Sequence, residues 1–151
     1  MKYLVVYAHE NGFGNVDCKF NHNPPKMCDI RKTENEIQRT NQFNLSGKRY
    51  SKQEILDIIK NKTYDILTIS VSDKYGEMGI VGAVIYEKRD GTVIIRSFYL
   101  SCRAFGRGFE NLMLEEVKKY GETVLGIYNE TDKNKKHRSF YEDNGVSLYG
   151  L

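Results

Sequence analysis

The chain has 151 residues, 40% of them hydrophobic and 28% charged, with a formal net charge of +3. That is the make-up of a single soluble globular domain, 1–151, long enough to bury a core of its own. Its slight basicity, pI about 8.6, is too weak to imply nucleic acid as a partner, and no apolar run approaches the ~18 residues of a membrane span.

Residues 1–8 read as a strand. They are too short for a signal-peptide core and lead into no cleavage-like site, so a cytoplasmic location is the expectation. Residues 9–30 read as irregular, with turn chemistry at Gly12, Gly14 and Asn15 and again from Asn21 to Pro25. His9, Cys18, His22 and Cys28 include zinc-ligand residue types, but their spacing contains no Cys-x-x-Cys pair, so no metal is expected. Three cysteines, Cys18, Cys28 and Cys102, form no disulfide framework and read as free thiols. Lys2, Lys19 and Lys26 read as a solvated face.

From Thr33 the signals sharpen. Thr33 and Glu36 have capping-box spacing and would open a short helix toward Gln42; Ser51 and Glu54 have the same spacing. After Ser51, Ile55, Leu56, Ile58 and Ile59 put an apolar stripe on a helix ending near Asn61. Alternation predicts a strand over 65–72, then a turn over 74–79. Strands over 80–87 and 92–100 are joined by Asp90-Gly91, a hairpin-tip dipeptide. A helix is predicted over 108–120, burying Phe109, Leu112, Met113 and Val117, with Gly121 placed to cap it. A strand over 123–128, a short helix over 135–143 stopped at Gly145, and a strand over 146–151 complete the order. The class is α/β (α+β): a mixed, mostly antiparallel sheet with flanking helices.

Two constellations carry chemistry. At the strand-to-helix junction stands Arg103-Ala104-Phe105-Gly106-Arg107-Gly108. Glycines let a backbone come close to an anion, and a helix's first turn offers unpaired N–H groups to a phosphate. Downstream, Asn134, Tyr141 and Gly145 follow at spacings of seven and four. A phenol near the loop could serve as a proton donor; it could equally be a core aromatic, like Phe140. Glu110 is a candidate base or a helix-N-terminal carboxylate. Cys102 is a candidate acyl acceptor, with Arg103 and Arg107 beside it, or a small buried hydrophobe, and the second reading is favoured.

Together these residues resemble the GNAT superfamily of acyl-CoA-dependent N-acyltransferases. Its phosphate motif, Gln/Arg-x-x-Gly-x-Gly/Ala, matches Arg103, Gly106 and Gly108, and its Asn, Tyr and Gly-Phe signature matches Asn134, Tyr141 and Gly145, with Val146 in place of phenylalanine. The resemblance implies that the amides from Ala104 through Phe105, Gly106 and Arg107 to Gly108 bind the CoA pyrophosphate, with Arg103 and Asn134 contributing. It further implies that the backbone of Phe98 and Leu100 lines the pantetheine slot, and that Tyr141 protonates the departing thiolate.

A narrower resemblance lies over 33–150, in segments 38–45, 49–51, 71–76, 79–82 and 101–110. These look like the C-terminal GNAT-like domain of FkbH-like proteins, which load a glyceryl unit onto acyl carrier proteins. The phosphatase-like domain of that family, with its Asp-x-Asp motif, is absent, and residues 1–32 match nothing in it. The loading reaction is therefore not carried over. The GNAT resemblance implies acetyl-CoA or another acyl-CoA as donor and a small amine, such as an amino sugar, as acceptor, whereas the FkbH-like one suggests an acyl carrier protein as donor. The other reading is a non-catalytic or carrier-protein-dependent module recognising phosphopantetheine in polyketide or polysaccharide biosynthesis.

Overall fold

A computed structural model describes residues 3–7, 17–22, 27–40, 42–73 and 76–150. In chain order the elements are β1 (Tyr3–Tyr7), β2 (Asp17–His22), α1 (Met27–Arg39), β3 (Phe43–Asn44), α2 (Lys52–Lys60) and β4 (Tyr64–Asp73). Then come β5 (Gly76–Arg89), β6 (Thr92–Leu100), α3 (Phe109–Lys118), β7 (Thr123–Gly126), a 3-10 turn at Lys135–His137, α4 (Phe140–Asp143) and β8 (Ser147–Leu148). The described strands form one sheet in the order β1-β2-β4-β5-β6-β7-β8, with β3 paired to β6. Pairing is antiparallel from β1 through β6 and parallel from β6 to β7 and β8. This is the mixed, mostly antiparallel sheet expected from the sequence.

Several local expectations hold. Ser51 caps α2 in a full box: the Glu54 amide donates to Ser51 Oγ at 3.2 Å and the Ser51 amide to Glu54 Oε1 at 3.1 Å. Asp90 (φ 48°) and Gly91 (φ 82°) make the tight β5–β6 hairpin, the left-handed pair that matches strand twist. Other expectations are corrected. Asp17–His22 is a strand rather than a loop, because Cys18 and Phe20 alternate into the core while Lys19 stays exposed. Thr33 caps nothing. It lies buried in the middle of α1, which begins six residues earlier at Met27. Gly121 does not adopt a left-handed cap; it lets the chain pass close to the hairpin, where a Cβ would sit 2.8 Å from Gly91 O. Of the expected turn over 74–79, residues 74 and 75 lie outside the described residues and Gly76 already belongs to β5.

The sheet separates two apolar layers. Phe98, Leu100, Phe109, Met113, Val117 and Tyr141 pack on the α3–α4 face. Ile37, Ile55, Ile66, Ile85 and Tyr99 pack on the α1–α2 face. Alternation along β6 sends neighbouring side chains to opposite layers.

One irregularity positions the site. Ile85 pairs with Ser97 but Tyr86 pairs with Ile95, so Arg96 is an extra residue in β6. Such a bulge bends the strand and sharpens its twist. β7 follows β6 only as far as Ile95, opposite Gly126, with a last link from the Ile127 amide to Ile95 O at 2.9 Å. Beyond it the two strands fork. Arg96 is anchored by Glu87, whose Oε1 accepts from its Nε at 3.0 Å and its terminal nitrogen at 2.5 Å.

Candidate active site

The 101–108 loop leaves the C-terminal end of β6 at the mouth of the fork. The amides of Ala104 and Phe105 both donate to Ser101 O, at 2.9 and 3.1 Å. Those two donors, expected to face an anion, are spent on the turn. Gly106 (φ 86°) and Gly108 (φ 87°) are left-handed, and Gly108 is the residue from which α3 starts. No heavy atom lies within 4 Å of where a Gly106 Cβ would stand. The loop is therefore open at the glycine that an approaching anion would need.

The carboxyl nearest the amides of Gly106 and Gly108 is the chain's own Glu110. Burial raises its pKa, while the amides of Glu110, Gly106 and Gly108 pull the other way. Glu110 is 8% exposed, and its Oε2 has no hydrogen-bond partner among the described residues. The two arginines, expected at the pyrophosphate, point elsewhere. Arg103 turns back to α1, donating to Ser101 Oγ at 3.3 Å and standing 3.8 Å from Glu36. Arg107 reaches Met78 Sδ at 3.8 Å and lies over the Phe109 ring.

Inside the fork lies β3. Phe43 pairs with Leu100 and Asn44 with Tyr99. The Leu45 amide donates to Phe98 O at 3.1 Å, and Leu45 O accepts from the Asn129 amide at 2.9 Å. β6 has two edges, and β5 holds the other one at Val84, Ala83 and Gly82. The edge of Phe98 and Leu100 that was expected to line a pantetheine slot is thus covered by residues 43–45, and as it stands the pantetheine arm does not fit there. Asn134, expected to bind the cofactor, is fully buried and holds this strand. Its Nδ2 donates to Asn44 O at 2.7 Å and to Asn129 O at 3.0 Å, and its Oδ1 accepts from the Thr131 amide at 2.8 Å. The Phe43 ring fills the fork from the α3–α4 side, with centroids 5.5 Å from Phe98, 5.3 Å from Phe105 and 5.0 Å from Phe140. β3 was absent from the sequence expectations. Its signal was present: Phe43 and Leu45 are apolar and alternate, just before the left-handed Gly47.

Tyr141 stands at the vertex of the fork, 1% exposed. Its ring packs onto Gly126, where a Cβ would come within 2.7 Å of ring carbons. Its hydroxyl has no hydrogen-bond partner among the described residues. Burial, with Tyr99 nearby, raises its pKa far above the usual phenol range. The resting side chain therefore keeps its proton and has a hydrogen-bond donor to offer.

On the α1–α2 face, a cavity of about 480 Å³ reaches the fork at Ser97 and Asn129, with Tyr50, Tyr64, Glu54 and Asp57 around it. Cys102, favoured as a small buried hydrophobe, is exposed instead. It borders a second cavity of about 320 Å³ with Glu36, Arg39 and Lys133. Cys18 is buried in the core. His9 and the side chains of His22 and Cys28 lie outside the described residues, and no metal-ligating cluster occurs among the described ones. No described helix is long and apolar enough to cross a membrane.

No protein-family model matches the chain, and no curated protein sequence does. Solved structures do match. The ribosomal-protein-S18-alanine N-acetyltransferase of Escherichia coli superposes with a TM-score of 0.56 at 13% identity, covering 83% of this chain and 76% of that one. A GNAT-family acetyltransferase from Desulfovibrio desulfuricans gives 0.60 at 14%, covering 85% and 84%. The aminoglycoside N-acetyltransferase AAC(6')-Iy, in complex with CoA, gives 0.60 at 7%, covering 86% and 88%. Identity this low speaks for architecture alone: the chain has the fold of the GNAT acetyltransferases, with a strand of its own laid in the fork of the sheet.

Proposed function

We propose that the protein is an N-acyltransferase of the GNAT type, moving an acyl group from acyl-CoA to a small amine. The observation that carries this reading is the buried, unpartnered Tyr141 hydroxyl at the vertex of the fork. Buried polar groups are almost always paired. An orphan phenol that keeps its proton at rest is a donor ready for an incoming group: it can pass that proton to a leaving thiolate, and the proton released by the attacking amine then restores the phenol. The fold likeness, including a neighbour that binds CoA, supports the donor class. CoA would supply the activated thioester. The chain's part is to orient the amine, exclude water and donate a proton from Tyr141 Oη to the departing sulfur. Gly106 and Gly108 would receive the phosphates once Glu110 gives way. The cavity beside Ser97 offers the acceptor a polar lining in which the Glu54 and Asp57 carboxylates are balanced by Lys48 and Arg96.

Free acyl-CoA is preferred over a carrier-bound donor. An acidic carrier needs a basic rim, yet on α3 Lys118 pairs with Glu115 at 3.2 Å and Lys119 with Glu116 at 3.0 Å. The likeness to the FkbH-like GNAT-like domain is kept as a proposal about descent, without its loading reaction. The filled fork favours a second reading, a module without turnover.

Thiol release from acetyl-CoA, measured with a panel of amino sugars and other small amines, separates the two. Turnover is expected, and Tyr141→Phe should reduce it by about 10²–10⁴-fold, the usual worth of a general acid, with CoA affinity unchanged. No thiol release with any amine, while CoA binds, would leave the non-catalytic module. Unchanged turnover in Tyr141→Phe would reduce the phenol to packing.

A further inference from the structure

The donor-binding features of the fork each carry an occupant drawn from the chain itself. At the glycine loop it is the Glu110 carboxyl, buried beside the cavity that Phe43 and Phe105 also line. Along β6 it is a peptide strand, where pantetheine would have to lie. A strand edge recognises any group that presents an amide N–H and C=O at the right spacing. Pantetheine is built from such amides, and so is β3. From these two coincidences we infer that residues 43–45 are an internal stand-in for the pantetheine arm, and that acyl-CoA enters by lifting this strand out of the fork. The inference rests on the donor class proposed above.

The strand is built to be exchanged rather than woven in. It spans two residues, whereas β6, on whose edge it lies, spans nine. On its C-terminal side Gly47 (φ 71°) supplies a left-handed hinge. On its N-terminal side the chain has just left α1, which ends at Arg39. Gln42 is held by one exposed contact, Lys136 Nζ to its Oε1 at 2.8 Å. The strand's side-chain clips are Asn134 Nδ2 on Asn44 O at 2.7 Å, Asn129 Nδ2 on Ser46 O at 3.1 Å and the Ser46–Ser97 hydroxyl pair at 2.8 Å. Asn134 Nδ2 can keep its donation to Asn129 O and make the other to any carbonyl that replaces Asn44 O. The Phe43 ring has an exit. Phe105, against which it packs, is the exposed large apolar side chain of the described residues, at 39%. A cavity of about 190 Å³ opens there between Phe43, Phe105, Glu110, His137 and Phe140. That cavity joins the two internal occupants, so a ligand that enters along it meets Glu110 and Phe43 together.

The exchange conserves hydrogen bonds at Phe98 O and at the Asn129 amide, both of which pass from Leu45 to the incoming amides. It also sets the affinity. A protein that must open before it binds has its apparent dissociation constant multiplied by the inverse of its open fraction.

Three measurements on the full chain test this. The first is hydrogen exchange of wild type with and without CoA. Exchange over 42–47 should rise on binding, while exchange over 104–110 should fall. The second is calorimetry on Phe43→Ala, which unseats the strand and should bind CoA about tenfold more tightly or better. The third uses Asn44→Cys with Tyr99→Cys, residues that face each other across the β3–β6 pair. Oxidised, this variant should lose at least about tenfold in CoA affinity by the same population argument, and reduction should restore it. CoA binding with exchange over 42–47 unchanged or slowed would overturn the inference, as would an oxidised lock that binds CoA like wild type. If neither wild type nor Phe43→Ala binds CoA, the donor reading itself fails, and the inference goes with it.

Discussion

Gly126 and Tyr141 are the tightest pair at the vertex of the fork. A methyl group on Gly126 would meet the ring at 2.7–2.8 Å, with backbone and core behind it. Gly126→Ala should therefore cost about 1–3 kcal/mol by overpacking, read as a lower urea midpoint, and should displace the phenol as well. A stability equal to wild type would mean that the ring slides freely and cannot serve as a fixed donor. Glu110 carries a different signature. Burial raises its pKa above the unfolded value of 4.5. The folded state thus holds its proton to higher pH than the unfolded state does. The contribution of Glu110 to stability is full below pH 4.5 and is lost as pH rises through the raised folded value. Glu110→Gln should flatten this fall, so that the variant gains on wild type as pH increases from about 4.5 toward neutrality. Parallel stability–pH curves would show that the carboxyl is solvated. The sequence made Glu110 legible as a helix-N-terminal carboxylate and Tyr141 as a placed phenol. It could not show that Glu110 shares a cavity with Phe43, because that depends on where Phe43 goes.

Elements were legible in proportion to their local signals. The Ser51 box, the Asp90-Gly91 hairpin and the stripe of α2 are written within a few residues each, and each formed. Ser51→Ala removes the acceptor for the Glu54 amide and should cost about 0.5–2 kcal/mol. A thermal melt would register this as a lower midpoint, and a melt unchanged from wild type would show that the 52–60 helix is held by packing alone. Illegible elements were those whose reason lies far away in sequence. β3 exists because β6 runs past its partner, and β6 runs past its partner because Arg96 bulges and is anchored on Glu87. Nothing in 43–45 announces the fork it fills. α1 was misjudged at its start for a related reason. Thr33 has the spacing of a cap, but burial of Thr33, Glu36 and Ile37 against the sheet carried the helix back to Met27.

At the scale of the molecule, the order of strands and helices was enough to name the architecture, and the superposed acetyltransferases agree at 7–14% identity. Architecture and site part company here. The glycine loop leads into α3 and Tyr141 lies on α4, yet Asn134 and the β6 edge hold the chain's own strand. Spacing fixes which elements meet. Which atoms occupy the gap between them is decided by a segment more than fifty positions away in sequence from any motif residue.

The filled fork also bears on how the protein survives without a ligand. A sheet that splits leaves bare N–H and C=O groups along the inner edge, and such an edge recruits strands from other molecules. With β3 seated, the Phe98–Leu100 edge offers no template, so the resting protein should stay monodisperse at concentrations where a bare fork would nucleate aggregates. Release of the strand without an occupant to follow it exposes that edge at once. Unseating and ligand entry are thus bound together by colloidal safety as well as by affinity.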